Sequence, residues 1–350
     1  MLLAETITQA VRILAALVTA FGLTLLVIVL AHQDPQAALS ALASGAFGSP
    51  YAIAETLTKT IPLLLTGLGV AIAFRARLWN IGGEGQFLVG ALAASALGAY
   101  ALKSLPAFIL IPLMLLAGSI AGALWAGLAG WMRTARGVPE VISTIMLNFI
   151  AAQLLSYLLH GPMQERAHAQ PASEALPLTA TLPSLWPGTT LHWGFLIALG
   201  MAGVVAVFLS RTRAGFALTL VGANPEAARA AGVDVAMTRL TTMLWSGGLC
   251  GLAGAVELSG VVGTLYENYS PGYGFAAVAV ALLGRLNPWG ILASALFFGA
   301  LNAGSGSMER SAGISANLSY VLQAITLLVL LAFQWIRWAP RRVIVPESTL

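Results

Sequence analysis

The stretch Asn80-Ile81-Gly82-Gly83-Glu84-Gly85-Gln86 sets one carboxylate between two side-chain amides, in glycine-rich chain just ahead of an apolar run. Such a set offers oxygen acceptors and N–H donors together, the chemistry that a sugar hydroxyl or a nucleobase edge requires. Asn80, Gly83, Glu84 and Gln86 are therefore candidates for lining a path taken by polar cargo. Glu84 has a second reading, as a first-turn charge stabilised by a helix N-terminus. Arg75 and Arg77 lie only a few residues away and place it near a cytoplasmic border, which favours that structural role. Asn148 and Gln153 in one later apolar run, and Glu257 in another, are polar groups embedded among apolar neighbours. In a membrane such groups face the interior of a bundle, which adds Asn148, Gln153 and Glu257 to the candidate path.

Other chemistries find little support. The chain has no His-Glu-x-x-His helix, no Gly-x-Ser-x-Gly elbow and no histidine beyond the border of an apolar run, so it is not expected to be an enzyme. His160 and His168 share one polar stretch, but no Cys or paired carboxylate accompanies them at ligand spacing, and no metal site is expected. Cys250 is the single cysteine and reads as packing.

The elements that must position these residues follow from composition. Of 350 residues, 58% are hydrophobic and 9% charged, against roughly 45–50% and 25% in soluble domains. There is no polar coat for a soluble globule, and the class indicated is an all-α polytopic membrane protein. Apolar runs fall at about 11–31, 57–74, 86–102, 106–131, 138–159, 191–210, 239–260, 274–284, 288–306 and 316–336, about ten transmembrane helices in one domain over 1–350. The run at 274–284 is too short to cross as a straight helix. The first run is too long for a signal-peptide core and is expected to be retained.

If all ten cross from a cytoplasmic N-terminus, the inside set is Arg12, Arg75, Arg77, Arg133, Arg136, Arg211, Arg213, Arg229, Arg239, Arg285, Arg337, Arg341 and Arg342. Outside lie Lys59, Lys103, Arg166 and Arg310. Thirteen against four is a firm positive-inside bias, with both termini cytoplasmic. The net charge of +4 is thus a sorting of sides, and nucleic-acid binding is not indicated. The Pro-rich stretch 160–190 becomes an external loop, either a docking surface or a plain re-entry. Spans two to five and seven to ten form two four-helix units of opposite orientation, an inverted repeat. Gly83-Glu84-Gly85 and Gly272-Tyr273-Gly274 open matching helices, which points to a substrate path or to ordinary interfacial turns. Gly118, Gly122, Ala126 and Gly130, like Gly247, Gly251 and Ala255, recur every four residues as close-packing stripes.

The cytoplasmic loop 211–238 carries its own helix, at about 224–232. Asn224 is an N-cap, Pro225 suits the first helical position, Glu226 sits in the first turn, and Gly232 follows the end. Ala227 and Ala228 leave an Ala-rich surface that another protein can approach closely. No large apolar anchor is present to hold the helix on lipid.

The string Gly222-Ala223-Asn224-Pro225-Glu226-Ala227-Ala228, with Ala231-Gly232-Val233, resembles the coupling loop of ABC-importer permeases in the branch that carries ribose, branched-chain amino acids and nucleosides. Leu78 through Gln86 is similar to the Asn-Ile-Gly-x-Glu-Gly-Gln signature of nucleoside and simple-sugar permeases within that branch, and Gly274-Phe275 through Gly284-Arg285 and Pro288-Trp289-Gly290 resembles the same group. The resemblance runs from about 57 to 335. It implies a non-catalytic subunit of an ATP-driven importer in the bacterial cytoplasmic (inner) membrane. The partners it implies are two cytoplasmic ABC ATPase domains, a second permease (paralogue or identical chain) and an extracytoplasmic substrate-binding protein. No cofactor is implied in this chain, with ATP on the partner subunits, and no Gly-x-x-x-x-Gly-Lys-Ser/Thr loop occurs in it. Asn224, Pro225, Glu226, Ala227, Ala228 and Gly232 would then couple to the ATPase. The cargo implied is a nucleoside or related purine first, simple sugars next and branched-chain amino acids third. The alternative, an ion-coupled secondary transporter, needs an ionisable relay deep in the membrane, and most of the 13 acidic residues lie in loops or near span ends.

Overall fold

The computed structural model describes residues 32–313 continuously, with isolated positions between 15 and 30 and between 321 and 332. The runs at about 11–31 and 316–336, and both termini, fall outside that continuous stretch. Leu42–Ser307 form one compact unit, while Met1–Ala41 and Met308–Leu350 are grouped as another. The described chain is all-helical apart from isolated bridges. In order it runs α1 (Pro35–Phe47), α2 (Pro50–Arg75), α3 (Gly83–Ser95), α4 (Ala107–Arg136), α5 (Glu140–Leu159), α6 (Gly194–Arg211), α7 (Arg213–Ala223), α8 (Pro225–Ala230), α9 (Val235–Glu257), α10 (Tyr273–Leu283) and α11 (Pro288–Ala312). Short π-helical segments extend α3 over Ala96–Ala101 and α9 over Leu258–Val262.

Among the described residues, six helices are long and apolar enough to cross a membrane: α2, α4, α5, α6, α9 with its π extension, and α11. Against the ten runs, that at 86–102 is divided between α3 and its π segment, and that at 274–284 is the eleven-residue α10. Two helices were not anticipated. Before α1, the Asp34 carboxylate accepts the Gln36 N–H (2.9 Å), and an Asp-Pro pair is itself a helix-start signal. Within the stretch 211–238, Thr212 caps α7 by accepting the Gly215 N–H (3.0 Å), so much of that hydrophilic stretch is helix rather than linker.

The bundle is built around α2 and α9, both mostly buried, with α4, α5 and α6 largely exposed. Thr58 and Thr60 of α2 are buried, yet each donates its hydroxyl to the carbonyl four residues back (2.8 Å each), so the central helix carries polar atoms without orphaning them. On α4, Gly118, Gly122, Ala126 and Gly130 are buried, while Leu116, Ile120, Leu124 and Leu128 on the opposite face are exposed. An apolar outer face is what lipid requires.

The small-residue stripes lie against each other within this chain. A Cβ on Gly122 would strike the Gly247 carbonyl, and one on Gly251 would strike that of Gly118. Gly90 of α3 meets Gly251 in the same way, and Gly254 meets Phe87. Backbone contact of α3 and α4 with α9 therefore replaces the hydrophobic drive that lipid does not supply.

Residues 160–193 lie over the end of α9. Ser173 and Leu182 donate backbone N–H groups to the carbonyls of Leu265 and Ser259 (2.8 Å each). His192 is buried there, with Nδ1 accepting the Gly194 N–H (3.1 Å), and burial pushes its imidazole down to about 4.

Two outcomes are expected. Gly251→Val, which drives atoms into the α4 backbone, lowers the melting temperature in detergent by an amount corresponding to about 1–3 kcal/mol. Gly200→Ala, where a Cβ meets nothing within 4 Å, does not. Secondly, an unfolded histidine protonates near ~6.5 while His192 stays neutral to about 4. The unfolded chain then binds the extra proton as pH falls between those values, so stability declines on acidification. A pH series of melting temperatures reads this as a decline that is shallower in His192→Gln.

Candidate functional site

The chain between α2 and α3 must leave helical geometry without leaving backbone groups unpaired, and its polar residues are arranged to do so. The Trp79 N–H donates to Glu140 (3.3 Å), which also pairs with Arg133 (3.2 Å). The Ile81 carbonyl accepts from Asn148 Nδ2 (2.9 Å), the Gly82 N–H donates to Asn80 Oδ1 (3.0 Å), and the Gly85 N–H donates to Asn148 Oδ1 (2.8 Å). Asn80 and Gln86 bond each other reciprocally at 3.0 and 2.9 Å, and Asn80 Nδ2 also donates to Ser246 Oγ (2.8 Å). These two amides are buried and committed to each other, so they shape the break instead of facing an open path.

α10 begins against α3. Gly274 packs so closely on Gly83 and Glu84 that a Cβ there would strike their backbone. The Gly274 N–H donates to Glu84 Oε2 (2.8 Å), and the same carboxylate takes hydrogen bonds from the Ser270 side chain and the Phe275 backbone. Glu84 thus stands in the first turn of its own helix and caps the N-terminus of α10 as well. Two positive helix ends converge on one buried carboxylate.

This changes the position expected for Glu84. At the far end of α10, the Leu286 carbonyl accepts from Arg75 Nε (2.9 Å). Arg75 is therefore level with the C-terminal end of α10 and Glu84 with its start, and the ten residues between Gly274 and Leu283 rise roughly 15 Å. The nine sequence positions from Arg75 to Glu84 climb that height because residues 78–82 are non-helical. Glu84 sits far from the arginine border that its sequence neighbours suggest.

Beside Glu84 is a cavity of about 360 Å³ bounded by α5, α10 and the segment 267–270. Of the residues expected to line a path, Glu84, Asn148 and Gln153 do so. Gly83 supplies backbone contact, and Asn80 and Gln86 brace the turn. Glu257 is buried and bonded to the Tyr273 side chain rather than lining the cavity. The reading from sequence missed Phe149, Glu267, Asn268 and Phe275 as lining residues, and Ser246 and Glu140 as braces. The signal for the first group was the polar run Glu267-Asn268-Tyr269-Ser270 ahead of a helix too short to cross.

The second expected site is α8. Asn224 Oδ1 accepts the Glu226 and Ala227 N–H groups (2.9 and 3.2 Å), Pro225 opens the helix, and Gly232 follows it at φ +80°. Ala228 is fully buried against Val221 and Val235, so it anchors α8 to its own chain and presents nothing to a partner. Asn224, Glu226, Ala227, Arg229, Ala230, Ala231 and Gly232 are exposed. Behind α8, α7 is pressed on the end of α2: a Cβ on Gly222 would strike the Arg75 carbonyl.

Removal of the Glu84 carboxylate in Glu84→Leu is expected to leave the Gly274 N–H buried without a partner, at about 1–3 kcal/mol. Glu84→Gln keeps an acceptor. Thermal denaturation of the purified variants should place Leu well below Gln, and equal melting points would contradict the capping role.

A family model described as the permease component of branched-chain amino acid transport systems matches residues 52–331. Over 94% of this chain and 88% of its own length, a glucose ABC transporter permease protein of Haloferax volcanii is 37% identical. A guanosine ABC transporter permease protein of Bacillus subtilis is 33% identical over 93% of this chain and 94% of its own. A nucleoside ABC transporter permease protein of Lactococcus lactis is 32% identical over 89% and 87%.

Proposed function

This chain belongs to the permease-component family of branched-chain amino acid transport systems, and we propose that it forms the translocation path for a nucleoside or related purine in an ABC importer. The observation that carries the reading is the cavity beside Glu84, which apolar side chains line together with a few polar groups where two helices begin inside the bundle. Discontinuous helices whose N-termini converge within a membrane protein are a recurrent way of building a site for polar cargo. Guanosine and nucleoside relatives support the nucleoside as cargo, and the glucose relative keeps simple sugars as the second reading.

In this reading the chain crosses the bacterial cytoplasmic membrane about ten times as two inverted four-helix units, with both termini inside. Arg75 and Arg285 mark the cytoplasmic level. Glu84 then lies near the bilayer middle, since a rise of roughly 15 Å is half of a hydrocarbon core of about 30 Å. Residues 160–193 face outward, towards a substrate-binding protein. A second permease subunit and two ATPases complete the importer, and the energy enters through the ATPases.

α8 is the contact for the ATPase, through the exposed Glu226, Ala227, Ala230 and Ala231. Movement of α8 reaches the cavity by packing alone. α8 is fixed to α7 through Ala228 and Val221, α7 to the end of α2 through Gly222 and Arg75, and residues 76–83 link α2 to Glu84. No ionisable relay is needed along this route, which favours ATP coupling over ion coupling.

The test is uptake in proteoliposomes holding this chain with its partner ATPase, second permease and binding protein. ATP-dependent accumulation of tritiated guanosine is expected. Accumulation without ATP, driven by a proton or sodium gradient, would overturn the reading. Ala230→Trp, on the exposed face of α8, should abolish ATP-driven uptake while the complex still assembles with a properly folded permease, and unchanged uptake would remove α8 as the coupling contact. Ala228→Trp instead breaks the α8 packing and lowers stability.

A further inference from the structure

We propose that the cavity beside Glu84 is a holding site with its own selectivity, built for a planar heterocycle that carries N–H donors on its edge; this rests on the nucleoside reading above. Phe149 on α5 and Phe275 on α10 bring rings to it from two helices, and both rings are more than half exposed, at 63% and 53%. Beside them are Gln153 and Asn268, both exposed, whose side chains bond no other described residue. Amides of this kind are costly towards lipid, so the wall that carries them faces a polar or occupied space. The two rings stand in the same wall as these amides.

Acceptors are supplied at the far end of the cavity. Glu267 takes the Ser156 hydroxyl (2.6 Å), stands 3.7 Å from His160 Nδ1 and is otherwise open. Glu84, by contrast, is engaged by α10. From Asn148 to Ser156 the wall follows α5 for eight residues, roughly 12 Å, long enough to place a base against the rings with its edge towards Glu267. The volume of about 360 Å³ is at the small end of the ~300–1,000 Å³ typical of small-molecule sites. Flat rings give stacking area to any base, and a carboxylate is an acceptor suited to adjacent N–H donors. Asn268, within the 267–270 segment that lines the cavity, is held at φ +58°, a left-handed conformation that asparagine tolerates.

Cargo selection in this importer then occurs twice, once in the external binding protein and again here. The test uses the complete importer in proteoliposomes, with tritiated guanosine and radiolabelled glucose run in parallel. Phe149→Leu and Phe275→Leu should each lower guanosine uptake about tenfold, and Phe149→Tyr should retain most of it. Glu267→Gln should lower it too. Because a Leu variant can fail to fold, the wild-type importer is also irradiated with a photoreactive azidopurine nucleoside. Label recovered from within 140–159 or 273–283 supports the site. Guanosine uptake by the wild type, with Leu variants at wild-type rates and no label on this chain, overturns this inference alone. Glucose uptake without guanosine uptake by the wild type overturns the cargo reading as well.

Discussion

A backbone that stops being helical inside a membrane protein has to find partners for its N–H and C=O groups within the protein, because lipid offers none. The region around Glu84 is organised by that constraint. Its carboxylate closes the start of α10, Asn148 closes the start of α3 and the Ile81 carbonyl, and Glu140 takes the Trp79 N–H. Each brace comes from an element other than the one it satisfies, so the break is tied to α5, α9 and α10 at once. Without those ties, residues 78–84 would have to lie at the membrane surface, where water could serve them.

The same constraint explains why the helices around it pack as they do. A carboxylate that caps a neighbouring helix needs that helix within hydrogen-bond reach, and Gly274 on Gly83 provides the approach by leaving out any side chain. The approach is held by backbone contact of α3 and α4 with α9 through Gly90, Gly118, Gly122, Gly247 and Gly251. Larger residues would separate the helices and with them the donors and acceptors of the break. A break placed this way also leaves room on its outer side, bounded by α5, α10 and 267–270, which becomes the cavity. On the other side it continues into Arg75, against which α7 packs with α8 attached to it, so the least regular part of the fold lies between the cavity and these two helices.

Much of this was legible in the residues. Apolar runs located most of the long helices, the Asn224-Pro225 cap located α8, and the stripes of Gly118 to Gly130 and Gly247 to Ala255 marked a close contact. The stripes could not say with what, because a four-residue spacing defines a face and not its partner. The height of Glu84 was not legible. Sequence distance from Arg75 suggested a border position, and only the register of α10, with Leu286 at Arg75 and Gly274 at Glu84, shows how far the chain climbs. Asn80 and Gln86 looked like cargo ligands because their chemistry suits cargo, yet two amides six residues apart also suit each other. Ala228 looked available because alanine is small, and smallness equally let it pack against Val221 and Val235. In each case residue type named the chemistry, and the choice of partner depended on contacts distant in sequence.

The central claim is that Glu84 joins two helix N-termini in the middle of the bilayer. Cryo-electron microscopy of the assembled importer in a lipid nanodisc tests it most directly, because the lipid density marks the depth of each residue. The account predicts the Glu84 carboxylate within hydrogen-bond distance of the Gly274 N–H, close to the bilayer midplane and beside a cavity lined by Phe149 and Phe275. A map with Glu84 at headgroup level, or with α10 starting away from α3, would contradict it.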